Sequence, residues 1–332
     1  MLVDRYGRKM TYLRISVTDR CNLRCVYCMP TEGVEWQTHE NILRYEEIVQ
    51  VVRQAATHGI KEIRLTGGEP LVRRDMLELV RALVECIAAI PGIDDISLTT
   101  NGILLLEQIE RLAQAGLKRI NVSLDTLDPE KFARITRGGR LERVLEGLHT
   151  AQASGLAPIK LNTVAMRGIN DDELIRLAQL SIQLPWHMRF IEIMPVKNQV
   201  SWGPGFPNPE ETFLPITEIW QILSPLGLQP VANVIGSGPA REFQIPGAQG
   251  RIGFISPLSE QFCEHCNRLR LTADGHLRPC LLNDSEVPVR DALRRGDNLL
   301  PYFEQALALK PLEHQLNSDS HPTGRCMMQI GG

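Results

Sequence analysis

Three cysteines stand close together as Cys21-x3-Cys25-x2-Cys28, and a second triplet, Cys263-x2-Cys266-x13-Cys280, lies far along the chain. Thiolates are soft ligands that suit iron–sulfur clusters and zinc. A four-iron cubane ordinarily takes four cysteines, so a triplet leaves one iron open to a substrate. Zinc is the alternative at both places. At the first, His39 would have to complete the set. At the second, His265 or His276 would. Zinc motifs usually bring their ligands as two pairs, and the x3-then-x2 spacing of the first triplet is not that pattern. The second triplet is more open to the zinc reading.

Other residues cluster around these thiols. Tyr27 lies between the last two cysteines of the first triplet. Thr66-Gly67-Gly68-Glu69-Pro70 follows a predicted strand. Its glycines either permit a tight turn or open the backbone toward a ligand amine. Arg268 and Arg270 fall between ligands of the second triplet, on a predicted strand that turns at Ala273-Asp274-Gly275. Planar guanidinium groups bind polyanions through paired hydrogen bonds. Gly331-Gly332 reads either as a frayed terminus or as a flexible tail that reaches the reacting groups. Cys86 falls within a predicted helix as a packing residue, and Cys326 carries no assigned role.

These residues need a scaffold. From Leu13 to Met194 the pattern alternates predicted strands (Leu13–Thr18, Glu62–Thr66, Ile96–Thr100, Arg119–Leu124, Ile159–Ala165, Met188–Met194) with amphipathic helices ending at Gly or before Pro. Such alternation indicates an α/β fold with a parallel sheet, here a partial barrel of six β/α units rather than a doubly wound sheet. Polar residues recur along the strands at Arg64, Thr66, Asn121, Ser123, Asp125, Lys160, Asn162 and Glu192. A period of two places each set on one face, and a polar, ligand-filled interior accounts for several such strands at once. Residues 1–195 are expected to form the barrel. Residues 196–332, with a Pro- and Gly-rich start and a predicted hairpin over Arg241–Ile255, form a C-terminal region with the second triplet.

The bulk numbers narrow the function. The 332 residues are 43% hydrophobic and 23% charged, with 36 basic residues against 39 acidic. A net charge of −3 with few aromatics gives no support to nucleic-acid binding. The segment Met1–Met10 carries Asp4, Arg5, Arg8 and Lys9 and is not a signal peptide. A cytoplasmic, reducing location is the expectation, with no membrane association, and metal roles for the eight cysteines then outrank disulfides.

Cys21-Asn22-Leu23-Arg24-Cys25-Val26-Tyr27-Cys28, with the Thr66–Pro70 motif, resembles the signature of radical S-adenosylmethionine enzymes. Leu13–Arg20, Cys28-Met29-Pro30, Leu98–Gly102, Asn121–Asp125, the Cys263/Cys266/Cys280 triplet and Gly331-Gly332 extend the resemblance. They point to the branch of that family that cyclises GTP at the start of molybdenum cofactor biosynthesis. The resemblance implies a partial (β/α)6 barrel of radical SAM type with a C-terminal cluster-binding extension. It implies two 4Fe–4S clusters, on Cys21, Cys25 and Cys28 and on Cys263, Cys266 and Cys280. It also implies S-adenosylmethionine on Tyr27, Gly68, Ser123 and Met194, and GTP on Arg14, Arg64, Thr99, Lys160, Arg268, Leu269 and Arg270. No acid–base residue is assigned. A homodimer, a reducing electron donor and a downstream cyclic pyranopterin monophosphate synthase are the implied partners. A radical enzyme acting on a peptide, and a zinc-stabilised scaffold or iron–sulfur electron carrier, are the rival readings.

Overall fold

Apolar and polar residues alternate along Tyr12-Leu13-Arg14-Ile15-Ser16, and this segment forms the first strand, β1 (Tyr12–Ser16). In the computed structural model, which describes residues 1–89, 92–194, 202–231, 238–316, 322 and 324–331, five more strands follow it. They are β2 (Glu62–Thr66), β3 (Asp95–Thr100), β4 (Arg119–Ser123), β5 (Ile159–Ala165) and β6 (Trp186–Glu192). Helices α1 (Tyr45–Thr57), α2 (Met76–Ala89), α3 (Leu105–Gln114), α4 (Pro129–Thr136), α5 (Leu141–Ala153) and α6 (Leu174–Gln183) connect them. Each pair of sequential strands is parallel.

One face of this sheet is apolar. Leu13, Ile15, Ile63, Leu65, Leu98, Ile120, Val122, Leu161, Met188 and Phe190 are fully buried in the main core. The helices lay their own stripes against it; in α1 these are Ile48, Val51, Val52 and Ala55, at helical spacing. The alternate residues, Arg14, Arg64, Asn121, Lys160, Asn162 and Arg189, line a cavity on the opposite face. Two of the expected positions, one polar and one apolar, behave differently. Glu192 has the wrong parity for that face: it is buried and accepts from the backbone amides of Ile216 (2.8 Å), Leu258 (3.0 Å) and Ser259 (3.1 Å). It thereby caps α7 (Ile216–Leu223) and pins the loop after residue 256. Leu269 is fully buried in the apolar core, so its side chain turns away from the cavity and only its backbone is left to approach a ligand.

The C-terminal region adds β7 (Gln229–Pro230), β8 (Arg241–Gln244), β9 (Ile252–Ile255), β10 (Arg268–Leu271), β11 (His276–Arg278) and β12 (Val287–Pro288). Helices α8 (Arg290–Arg295) and α9 (Leu300–Ala308) follow. The expected hairpin over Arg241–Ile255 is present as β8 and β9. These strands extend the barrel sheet itself: β10 pairs parallel with β1, and β9 pairs parallel with β6. The twelve-stranded order is β12-β11-β10-β1-β2-β3-β4-β5-β6-β9-β8-β7, which does not close on itself. β10 and β6 stand six places apart, roughly 29 Å along a flat sheet at the usual strand spacing. Arg270 of β10 and Arg189 of β6 nonetheless line the same cavity, so the sheet is curled into a partial barrel. The expected join at residues 195 and 196 and the terminal Gly332 lie outside the described residues.

Candidate active site

The first triplet sits on the loop leaving β1. The Cys28 and Met29 amides both donate to the Cys25 carbonyl, at 2.9 and 3.1 Å, which winds the loop so that its thiols share one space. The Leu23 amide lies 3.4 Å from Cys21 Sγ, and the Tyr27 hydroxyl donates to Asp125 Oδ2 at 2.7 Å, tying the loop to the end of β4. Burial and the Glu69 carboxylate push the Cys21 thiol up to about 11, against the lowering pull of the Leu23 amide and Asn101. Burial, Cys28 and Asp125 hold Cys25 well above its ordinary value. Burial likewise raises Asp125 to about 6.

The Gly67-Gly68 turn is packed on this loop. A Cβ on Gly68 would lie 2.5 Å from the Arg20 carbonyl oxygen, and one on Gly67 would lie 2.7 Å from that of Thr18. Both neighbours are backbone, so the glycines are needed for close approach rather than for a left-handed turn. Glu69 is fully buried and accepts from Thr100 Oγ1 (2.8 Å) and the Asn101 amide (2.6 Å), joining the ends of β2 and β3; burial raises it to about 7.

The cavity wall is cationic: six arginines and Lys160 line it against Glu62. Arg119 is bound by Asp95 and Glu62, and Arg189 by Glu242. Arg270, Arg14 and Arg64 stand side by side in register on β10, β1 and β2. Like charges on neighbouring strands are destabilising. Burial with nearby Arg64 and Arg268 lowers Arg14 to about 10, and burial with Arg14 and Arg268 lowers Arg270 well below its ordinary value. Burial and Arg189 lower Lys160 to about 7. Among the described residues, buried Arg268 Nε, Asn162 Oδ1 and Thr99 Oγ1 have no hydrogen-bond partner. Arg268 and Asn162 line the cavity, and orphans at its wall fit a polar ligand; Thr99 is not among the lining residues. Thr99 stands beside Asn121 in register, and Ser123 beside Asn162. Met194 touches the cavity and also packs with Ile330 and Leu282.

The second triplet borders the same cavity through Phe262 and Leu281. Lys310 Nζ lies 3.5 Å from Cys266 Sγ. Burial would raise that thiol, but Lys310 and Arg268 outweigh it and hold it below its ordinary value. The chain end joins the two sites. Cys326 packs with Met29, Met328, Cys21 and Cys28, while the Gly331 carbonyl accepts from Arg270 Nη1 at 2.8 Å. Proximity of Cys326 to the first triplet, and the places of Arg189 and Arg119, are absent from the sequence reading. Arg189 carried a readable signal, because it alternates with buried Met188 and Phe190.

The donor chemistry fits clusters better than zinc. None of the eight cysteines is in a disulfide. His39 and His265 are exposed, and the His276 ring lies 3.3 Å from Asp274. Among the described residues, no three His, Cys, Asp or Glu side chains converge to hold a single metal ion. A cubane is a larger body than one ion, and each triplet offers it three thiols.

A partial α/β barrel with a three-cysteine loop after its first strand defines the radical SAM class. The radical SAM superfamily pattern matches residues 15–181, and that of Molybdenum Cofactor Synthesis C matches residues 186–316. The chain is 50% identical to the GTP 3′,8-cyclase of Pelotomaculum thermopropionicum over 99% of each chain. It is 48% identical to that of Moorella thermoacetica, again over 99% of each. Among solved structures it is similar to Streptococcus suis SuiB, with a TM-score of 0.62 at 15% identity over 92% of this chain and 68% of that one; this likeness shows the fold. The chain belongs to the GTP 3′,8-cyclase family of the radical SAM superfamily. Two 4Fe–4S clusters and S-adenosylmethionine are the cofactors of that family.

Proposed function

We propose that this chain converts GTP to 3′,8-cyclo-7,8-dihydro-GTP, the first step of molybdenum cofactor biosynthesis. The observation that carries this reading is the in-register row Arg270–Arg14–Arg64, which with Lys160 and Arg268 faces one cavity beside a thiol triplet. A triphosphate has the charge to offset such a row.

In this reading Cys21, Cys25 and Cys28 hold the first cluster, and Cys263, Cys266 and Cys280 hold the second. Tyr27, Gly68, Ser123 and Met194 contact S-adenosylmethionine. Arg14, Arg64, Thr99, Lys160, Arg268, Arg270 and the Leu269 backbone contact GTP. When bound, the first cluster and S-adenosylmethionine supply the carbon radical that removes the ribose 3′ hydrogen. The rest falls to the chain's own residues. The cationic wall holds the triphosphate and so fixes which ribose hydrogen faces the radical source. Asp125 holds the Tyr27 hydroxyl and with it the cysteine loop. The segment Cys326–Gly331 covers the space between the two triplets and excludes water.

Residues 1–195 act as the radical-generating barrel, and residues 196–332 as the region that carries the second cluster and closes the site. A homodimer, a cytoplasmic location, a reducing electron donor and transfer of product to cyclic pyranopterin monophosphate synthase belong to the same reading. Among the described residues no helix is long and apolar enough to cross a membrane. Anaerobic incubation with GTP and S-adenosylmethionine, followed by product mass analysis, tests the proposal. A peptide modified in place of GTP, or no cyclised nucleotide from fully iron-loaded protein, would overturn it.

A further inference from the structure

Lys310 is 2% exposed and lies just beyond α9. Its Nζ donates to the Pro279 carbonyl at 2.6 Å and the Arg268 carbonyl at 2.9 Å, and it lies 3.5 Å from Cys266 Sγ. Pro279 immediately precedes Cys280, and Arg268 begins β10 two residues after Cys266. One ammonium therefore spans both limbs that carry these ligands. The third limb is tied to the same segment: Arg8 Nη1 donates to the Cys263 carbonyl and the Leu312 carbonyl, each at 2.8 Å, and Arg8 Nη2 donates to that of Pro311 at 2.6 Å. Asp4 Oδ2 holds Arg8 Nε at 2.6 Å.

Among the described residues no carboxylate lies within ion-pair distance of Lys310, and a buried ammonium is costly without an anion beside it. The thiolates of the second triplet are the anions within reach. The first triplet has the opposite surroundings, since its thiols face Glu69 and Asp125. We propose that Lys310 is the positioning residue and built-in counter-ion of the second cluster: it fixes the Cys266 and Cys280 limbs and favours the reduced, more anionic form of the cluster. This rests on the reading of the second triplet as a cluster site. Neighbouring charge and hydrogen bonds to sulfur are among the levers that set cluster potentials.

The test uses the full chain, reconstituted anaerobically, as Lys310→Met, Lys310→Gln and Lys310→Arg. Iron and sulfide are counted, and both clusters are titrated by electron paramagnetic resonance. Lys310→Met is expected to lose the second cluster, and so half of the iron, while the first cluster stays. Lys310→Gln keeps an amide donor for the carbonyls; its second-cluster midpoint is expected to move to more negative potential, with that of the first unchanged. Lys310→Arg is expected to restore both occupancy and midpoint. Wild-type iron in Lys310→Met, or an unshifted second midpoint in Lys310→Gln, overturns the proposal. If the wild-type chain itself holds about four irons rather than about eight, the second-cluster reading fails first, and Lys310 falls with it.

Discussion

Gly331→Ala is a small change with a calculable consequence. Gly331 has φ of +68°, and a Cβ there would lie 2.7 Å from Thr66 Cγ2 and 3.5 Å from Ser16 Cβ. The left-handed backbone costs an alanine about 1 kcal/mol. Thr66 is 2% exposed at the end of β2, with its carbonyl held by the Val17 amide at 2.8 Å, so it has little room to retreat. Crowding of this kind costs about 2 kcal/mol. The sum, about 3 kcal/mol, lowers the ratio of docked to undocked tail by roughly a hundredfold. The hydrogen bond from Arg270 to the Gly331 carbonyl goes with it. Cyclisation should collapse while iron content and S-adenosylmethionine cleavage without GTP persist. Hydrogen exchange should accelerate at the amides of Gln329 and Ile330, which bond to the Cys326 and Met327 carbonyls. Gly331→Asn tolerates the left-handed backbone and isolates the Cβ contact, so it should remain impaired. Wild-type turnover with unchanged exchange in Gly331→Ala would refute the reasoning.

Gly68→Ala places a Cβ 2.5 Å from the Arg20 carbonyl oxygen; S-adenosylmethionine affinity, measured by anaerobic equilibrium dialysis, should fall at least tenfold while four-iron occupancy at the first triplet survives. Lys160 is held down to about 7 by burial and Arg189, and a bound triphosphate raises it again. GTP binding should therefore take up a proton, and affinity should weaken as pH rises above about 7. Calorimetry in two buffers of different ionisation enthalpy reads that proton, and Lys160→Met should abolish it. Cys25→Ala should lose about four irons and all S-adenosylmethionine cleavage, whereas Cys266→Ala should lose the same number yet retain uncoupled cleavage. Equal loss of cleavage in both would remove the division of labour between the triplets.

Much of the site was legible because strands write their two faces into alternate residues. Arg14, Arg64, Asn121 and Lys160 stand out against Leu13, Ile15, Ile63 and Val122, and the cavity is where that contrast places it. Glu192 shows where the rule weakens: at a strand end a carboxylate can equally well cap the next helix, and here it caps α7. Leu269 shows a second limit, since a motif names a segment while the pleat turns only alternate side chains inward. Helix α4 was not anticipated, although Asp128 caps it and Pro129 opens it, because it is short, at eight residues. Proximity of Cys326 to Cys28, nearly three hundred positions apart, and of Gly331 to Arg270, 61 apart, depends on long-range contacts that no local pattern encodes.

Pairing of β10 with β1 has a consequence for how the protein is made. Tyr12 and Arg268 are register partners, so β1 waits for more than two hundred residues to be made before that side is covered. The other flank of the six-strand sheet waits for β9. Until both arrive, a nascent chain presents two bare ladders of amides and carbonyls, the arrangement most prone to wrong pairing. Such long-range parallel pairing is slow to form. Completion of the barrel is thus a late event, and a chain stalled before β9 would hold its first three thiols in a scaffold with both sheet flanks still open.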